Sequence, residues 1–203
     1  MSGRIGVLIS GRGSNLLALI RATQEGRLDA TITIVISNVA DAPGLAHARS
    51  AGIEALVVSH QGWQSRADFD RALAAELTRR GVSLVCLAGF MRRVGEPLIE
   101  AFPNAILNLH PSLLPAFSGL DPQRQAIEHG AKMSGATVHL VTPDLDGGPI
   151  VLQRPVPVVD GDTPITLAER ILEEEHRLYP EAVQLVIGGR WHLDGRRFIA
   201  AVG

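Results

Sequence analysis

The sequence predicts an α/β fold: a Rossmann-like, mostly parallel twisted sheet flanked by helices, forming one domain over residues 1–203, with antiparallel strands in its C-terminal part. Three observations lead there. Short runs of Val, Ile and Leu recur through the first 110 residues, each suited to a strand buried on both faces. Amphipathic stretches separate them, as expected of βαβ units. Past residue 132 the alternation gives way to two further strand-like runs, one long helical stretch and a terminal hairpin pattern.

RIGVLIS at 4–10 reads as the first strand, and NLLALIRATQEG at 15–26 as the first helix, starting near Leu16. TITIVIS (31–37) and EALVVS (54–59) are the next strands, with GLAHARSAG (44–52) between them as a short helix. SRADFDRALAAELTRRG at 65–81 carries the clearest helix punctuation: Ser65 as cap, Asp68 three residues on, Leu73 and Leu77 at helical spacing, and Gly81 past the end. SLVCLAG (83–89) and AILNLH (105–110) complete the parallel set. GATVHLVT (135–142) and PIVLQRPVPV (149–158) follow as strands, then a helical stretch over 163–189 that Pro180 is expected to bend or interrupt. WHLDGRRFI (191–199) suggests a hairpin around Asp194 and Gly195.

Hydrophobic residues make up 46% and charged residues 20%, the balance of a soluble globular protein rather than a disordered one. A net charge of -2 lacks the basic footprint of a nucleic-acid partner or a membrane surface, so an anionic ligand has to be met locally. MSGRIGVLIS lacks the features of a secretory signal, no apolar run approaches the ~20 residues of a membrane span, and a cytoplasmic location is expected. Cys86, the one cysteine, lies in an apolar run and reads as core. The histidines at 47, 60, 129, 176 and 192 have neither i, i+4 pairing nor cysteine company, and no metal site is expected. The sequence leaves the oligomeric state open between monomer and homodimer.

Ser10-Gly11-Arg12-Gly13-Ser14-Asn15 directly follows the first strand and opens a helix, so its amides and the helix end form an anion cradle. Leu16 stands where a dinucleotide fingerprint has its third glycine, and the second strand closes with Ser37 and Asn38 rather than an acidic residue. The loop suits a sugar monophosphate, or is only a tight turn. In AILNLH, Asn108 and His110 share a face, and Pro111 ends the pairing. Asp146, before Gly147 and Gly148, can orient the His110 ring, leaving Asn108 and His110 as donors to an oxygen that becomes negative. Ser14 and Ser112 have no convincing partner base, so direct attack by a substrate amine fits better than a covalent intermediate. A lone Asn-x-His at a strand end is more often a satisfied polar edge than a catalyst. His139, within ATVHLV, reads as a packed neighbour, and Glu173, Glu174 and Glu175 as a solvated helix face.

The run NLHPSLLP (108–115), together with GATVH (135–139) and LDGGP (145–149), resembles the folate-dependent formyltransferase family, with similarity running from Ile5 to about Gly189. The resemblance implies transfer of a formyl group from 10-formyltetrahydrofolate to the amine of 5'-phosphoribosylglycinamide in purine biosynthesis. It implies catalysis by Asn108, His110 and Asp146, phosphate binding by Gly13, Ser14 and Asn15, and a ribonucleotide contact at Glu175. The folate would be bordered by Arg66, Met91, Arg92, Arg93, Val94, Asn108, Thr142 and Asp146. Ser118 departs from the family's usual proline and Gln123 from a frequent nearby histidine, which leaves the order of the 111–131 loop open. Rival readings are a hydrolase or tRNA-directed member, whose extra domains would not fit into 203 residues, and an inactive phosphate- or folate-binding module.

Overall fold

From Ile5 to Ile9 the first strand, β1 (Gly3–Ile9), is buried, and its alternate side chains enter two different cores. Ile5, Val7 and Ile9 face one side with α1 (Ser14–Gln24), while Leu8 faces the other with Phe69, Leu73 and Leu77 of α3 (Arg66–Arg79). A strand covered on both faces has no place for polar residues, which is why it reads as a continuous apolar run. The computed structural model describes residues 3–201.

The remaining elements are β2 (Ala30–Ser37), α2 (Gly44–Ser50), β3 (Glu54–Val57), β4 (Leu84–Leu87), α4 (Glu96–Ala101), β5 (Ile106–His110), α5 (Pro122–Glu128), β6 (Met133–Leu140), β7 (Ile150–Pro157), α6 (Pro164–Ile187), β8 (Trp191–Asp194) and β9 (Arg197–Ala200). They form a single nine-stranded sheet in the order β3-β2-β1-β4-β5-β6-β7-β9-β8. The first five strands are mutually parallel, and β6 and β7 run antiparallel to their predecessors. The strand order reverses between β1 and β4, where crevices open at the carboxyl edge of such sheets.

Ser65 caps α3 by accepting from the Asp68 amide, as the sequence suggests. The first helix begins at Ser14, two residues earlier than its apolar spacing indicates, because Gly13 at φ 73 turns the chain directly into it. Pro180 neither ends nor interrupts α6, which continues to Ile187. A proline costs a helix about 3 kcal/mol, but Leu178, Tyr179, Ala182 and Val183 are all buried around it and hold both halves against the sheet. Tyr179 is fully buried, and its hydroxyl is shared between the carbonyls of Leu87 (3.0 Å) and Leu107 (3.2 Å), fixing α6 against β4 and β5 close to the crevice. The hairpin β8–β9 forms around Gly195 and joins the sheet through β7. No helix of the described residues is long and apolar enough to cross a membrane.

Candidate active site

Three chain segments leave the carboxyl edge side by side. After β1, the glycine loop is held from beneath by α2: Gly44 donates its amide to the Gly11 carbonyl at 3.0 Å, and a Cβ on Gly13 would lie 2.7 Å from the Gly44 Cα. Only glycine fits at 13, for want of space and because φ is positive. Asn15 donates to Glu175 Oε2 at 2.8 Å, bridging α1 and α6. Burial raises the Glu175 carboxyl above its ordinary value, and the Asn15 hydrogen bond opposes that shift. Asn15 Oδ1 is buried without a partner, an acceptor left over beside the loop. The loop is laced to the segment after β4, because the Met91 amide donates to Ser10 Oγ at 2.8 Å and Ser10 Oγ donates to Asn38 Oδ1 at 2.5 Å.

The second assembly straddles β5 and β6. Antiparallel register sets Asn108 opposite His139 and His110 opposite Thr137, so four polar side chains meet across one strand pair. His110 is buried, with Nδ1 3.5 Å from Asp146 Oδ2 and Nε2 donating to the Phe117 carbonyl at 2.9 Å. Asp146 Oδ2 also accepts the Gly119 amide at 2.9 Å. Asp146 itself sits at φ 49, a left-handed conformation that aspartate tolerates better than most residues and that brings its carboxylate back towards β5. The close approach of its loop to the sheet is possible because Gly148 lacks a side chain.

A cavity of about 360 Å³ opens between these segments, lined by Phe90, Met91, Arg92, Arg93 and Val94 on one side, by Thr142 to Asp146 (Pro143 excepted) on another, and by Asn108, His110 and His139 at its base. That volume lies within the usual range for a small-molecule site. Most of the lining surface is apolar. Arg93 is tied to the Pro143 carbonyl at 2.6 Å, and Arg196 reaches from the terminal hairpin to the Gly147 carbonyl at 2.6 Å, so the Asp146 loop is gripped from two sides. Asp70 accepts the Gly95 amide at 2.9 Å and anchors the end of the 91–95 segment.

A profile of the formyl transferase family matches residues 3–183. The chain belongs to the formyl transferase family. It is 44% identical over 190 residues to the phosphoribosylglycinamide formyltransferase of Escherichia coli, covering 94% of this chain and 87% of that protein. Against the human trifunctional purine biosynthetic protein adenosine-3 the identity is 47% over 186 residues, covering 92% of this chain but spanning only 18% of that protein's length. Among solved structures, a glycinamide ribonucleotide transformylase from Symbiobacterium toebii superposes with a TM-score of 0.95 at 56% identity, covering 96% of this chain and 92% of that one. A formyltetrahydrofolate deformylase from Pseudomonas syringae, at 24% identity, shares the fold with a TM-score of 0.91.

In this formyl transferase, Asn108, His110, Asp146, Thr142 and the 91–94 segment border one cavity. Gly13, Ser14, Asn15 and Glu175 form a neighbouring cluster outside that lining, joined to it through Ser10 and Met91. Arg66 is the exception: it is exposed on the first turn of α3 and absent from the cavity lining, its charge instead lying near Asp70. His139 is buried as expected, yet it touches Asn108 directly, at 3.2 Å. Thr137 and Gln153 escape notice in the sequence. Thr137 Oγ1 donates to the Ser112 carbonyl (2.7 Å) and accepts from the Leu114 amide (3.1 Å) and from Gln153 (2.9 Å), pinning the start of the 111–121 loop. Ser112 Oγ donates to the Ala116 carbonyl at 2.6 Å, a role inside the loop rather than that of a nucleophile. Gln125 Nε2 bonds to the Ser118 carbonyl, which any residue at 118 would supply. Among the described residues no group of three or more His, Cys, Asp or Glu is arranged to hold a metal.

Proposed function

We propose that this formyl transferase moves the formyl group of 10-formyltetrahydrofolate onto the amine of 5'-phosphoribosylglycinamide, a step of purine biosynthesis. The observation that carries the proposal is the meeting of Asn108, His110 and Asp146 on a single cavity, in a chain 44% identical to the Escherichia coli enzyme of that name. The folate occupies the apolar cavity with its formyl carbon towards Asn108 and His110, and the ribonucleotide phosphate lies on Gly13, Ser14 and Asn15, with Glu175 facing its sugar or glycinamide portion.

The amine lone pair attacks the formyl carbon, and the carbonyl electron pair moves onto oxygen. Asn108 Nδ2 and the His110 imidazole donate to that oxygen, each such donor contributing on the order of 2.7 to 4 kcal/mol to the transition state. The Phe117 carbonyl, 2.9 Å from His110 Nε2, marks where an oxygen acceptor sits relative to the ring, and the substrate oxygen takes its place. Asp146 stabilises the protonated ring. The tetrahedral intermediate collapses as the carbon–N10 bond breaks, the ammonium proton passing by way of His110 to the departing folate nitrogen.

An absorbance assay for tetrahydrofolate formation, with and without 5'-phosphoribosylglycinamide, tests this directly. Product formation that requires the amine is expected. Equal product in its absence would make the protein a hydrolase, and folate binding without product would make it a binding module.

A further inference from the structure

A buried histidine that catalysis by Asn108, His110 and Asp146 does not use stands directly behind Asn108. His139 lies on β6 opposite Asn108 on β5, only 2% exposed. Its Nδ1 is 3.0 Å from the Leu140 carbonyl, and a carbonyl can only accept, so Nδ1 carries a proton. In the neutral ring Nε2 is then a bare lone pair, and the group facing it at 3.2 Å is the Asn108 amide nitrogen. Burial, the largest influence on the ring, lowers its affinity for a second proton, although Asp146 Oδ1 at 3.8 Å acts in the opposite sense.

An asparagine amide has a donor end and an acceptor end of nearly equal size, and nothing in its shape prevents a half-turn that exchanges them. Catalysis by oxyanion stabilisation requires the donor. We propose that His139 is a positioning residue: its bare Nε2 accepts one Asn108 hydrogen, fixes the amide in one orientation, and leaves the second Nδ2 hydrogen for the formyl oxygen. The chain of constraint runs from the Leu140 carbonyl through the imidazole to the amide. It originates in the strand register, which places residue 139 opposite 108. The inference rests on the transfer reaction proposed above.

A double-substitution cycle of His139→Ala and Asn108→Ala tests it, read as kcat and both KM values. Partners that orient the ligands of metal sites typically contribute about 10- to 100-fold to activity, and the same order is taken for a partner that orients an oxyanion donor. His139→Ala is therefore expected to lower kcat by about that factor with KM values little changed, and to lower it no further when Asn108 is already alanine. A drop of the same size in both backgrounds, or none in the wild-type background, overturns the proposal. Should His139→Ala fail to fold, nitrogen-15 NMR of the intact protein decides: His139 should carry its proton on Nδ1 with Nε2 bare at neutral pH. A proton on Nε2 overturns the proposal equally. If the wild type shows no amine-dependent transfer, it is the reaction assignment that fails, an outcome distinct from loss of the coupling.

Discussion

Gly148→Ala puts the smallest side chain at the point where the Asp146 loop crosses the sheet. A Cβ there would lie 1.7 Å from the Leu140 carbonyl oxygen and 2.9 Å from its carbon, whereas real Cβ contacts essentially never fall below 3.0 Å. Both partners are backbone, so no side chain can swing away. The loop must retreat by at least the 1.3 Å separating 1.7 Å from 3.0 Å, or the carbonyl must turn, and that carbonyl also receives the His139 proton. A misplacement of about 1 Å at a reacting centre can cost on the order of 100-fold in rate, equivalent to about 2.7 kcal/mol. Overpacking adds a stability loss of about 1 to 3 kcal/mol. Gly26→Ala is the control: φ is 72 and nothing lies within 4 Å, so only the left-handed penalty of about 1 to 2 kcal/mol applies and turnover is unaffected. Steady-state formyl transfer and thermal unfolding of both variants separate the two effects. A folded Gly148→Ala protein with kcat/KM within about threefold of wild type would show that this close approach does not set the position of Asp146.

His110→Ala should lower turnover by about 100-fold or more while ribonucleotide affinity, measured by calorimetry, stays close to wild type; near-normal turnover would remove the ring from the reaction. Glu175 has a raised folded pKa, so the fold prefers its protonated form, and stability is lost as pH rises from the ordinary glutamate value through the raised one. Glu175→Gln keeps an acceptor for Asn15 and should give a higher Tm than wild type above that window, converging with it in acid, while raising KM for the ribonucleotide; a constant Tm difference at all pH values would count against the burial argument. Thr137→Val strands the Ser112 carbonyl and the Leu114 amide, each orphan costing about 1 to 3 kcal/mol, while Gln153 keeps its bond to the Leu114 carbonyl at 2.8 Å, and urea unfolding should show a loss of at least the lower figure.

Much of this architecture is legible in the order of apolar runs, because strands buried on both faces cannot hide their composition. The short helices α4 and α5 are not: they display too little periodicity of their own, and α5 follows a loop with Phe117 and Asp121 at positive φ, whereas the equally short α2 is legible from its place between two strand-like runs. Pro180 does not interrupt α6, because a local cost is outweighed by burial that only the assembled core supplies. Asn108 and His110 declare a common face through simple alternation. Asp146 approaches from 36 residues downstream of His110 by way of a left-handed turn that no local pattern announces; the two glycines after it suggest a close backbone approach, and the formyltransferase resemblance supports its place beside His110. Glu175 looks solvated within its acidic run, yet it lies four residues after Ile171 and four before Tyr179, on the buried side of α6. His139 reads as packing because its significance depends on which residue lies opposite, and register is invisible until two strands are paired.

That pairing also decides where the chain can change length during evolution. Extra residues in the exposed connection between α5 and β6 would enlarge a surface arch at small entropic expense and leave every opposing pair intact. A single residue gained or lost within β5 or β6 would turn the imidazoles and the amide towards the opposite layer. Lineages descending from this fold should therefore vary in the arch and hold the two strands to a fixed count.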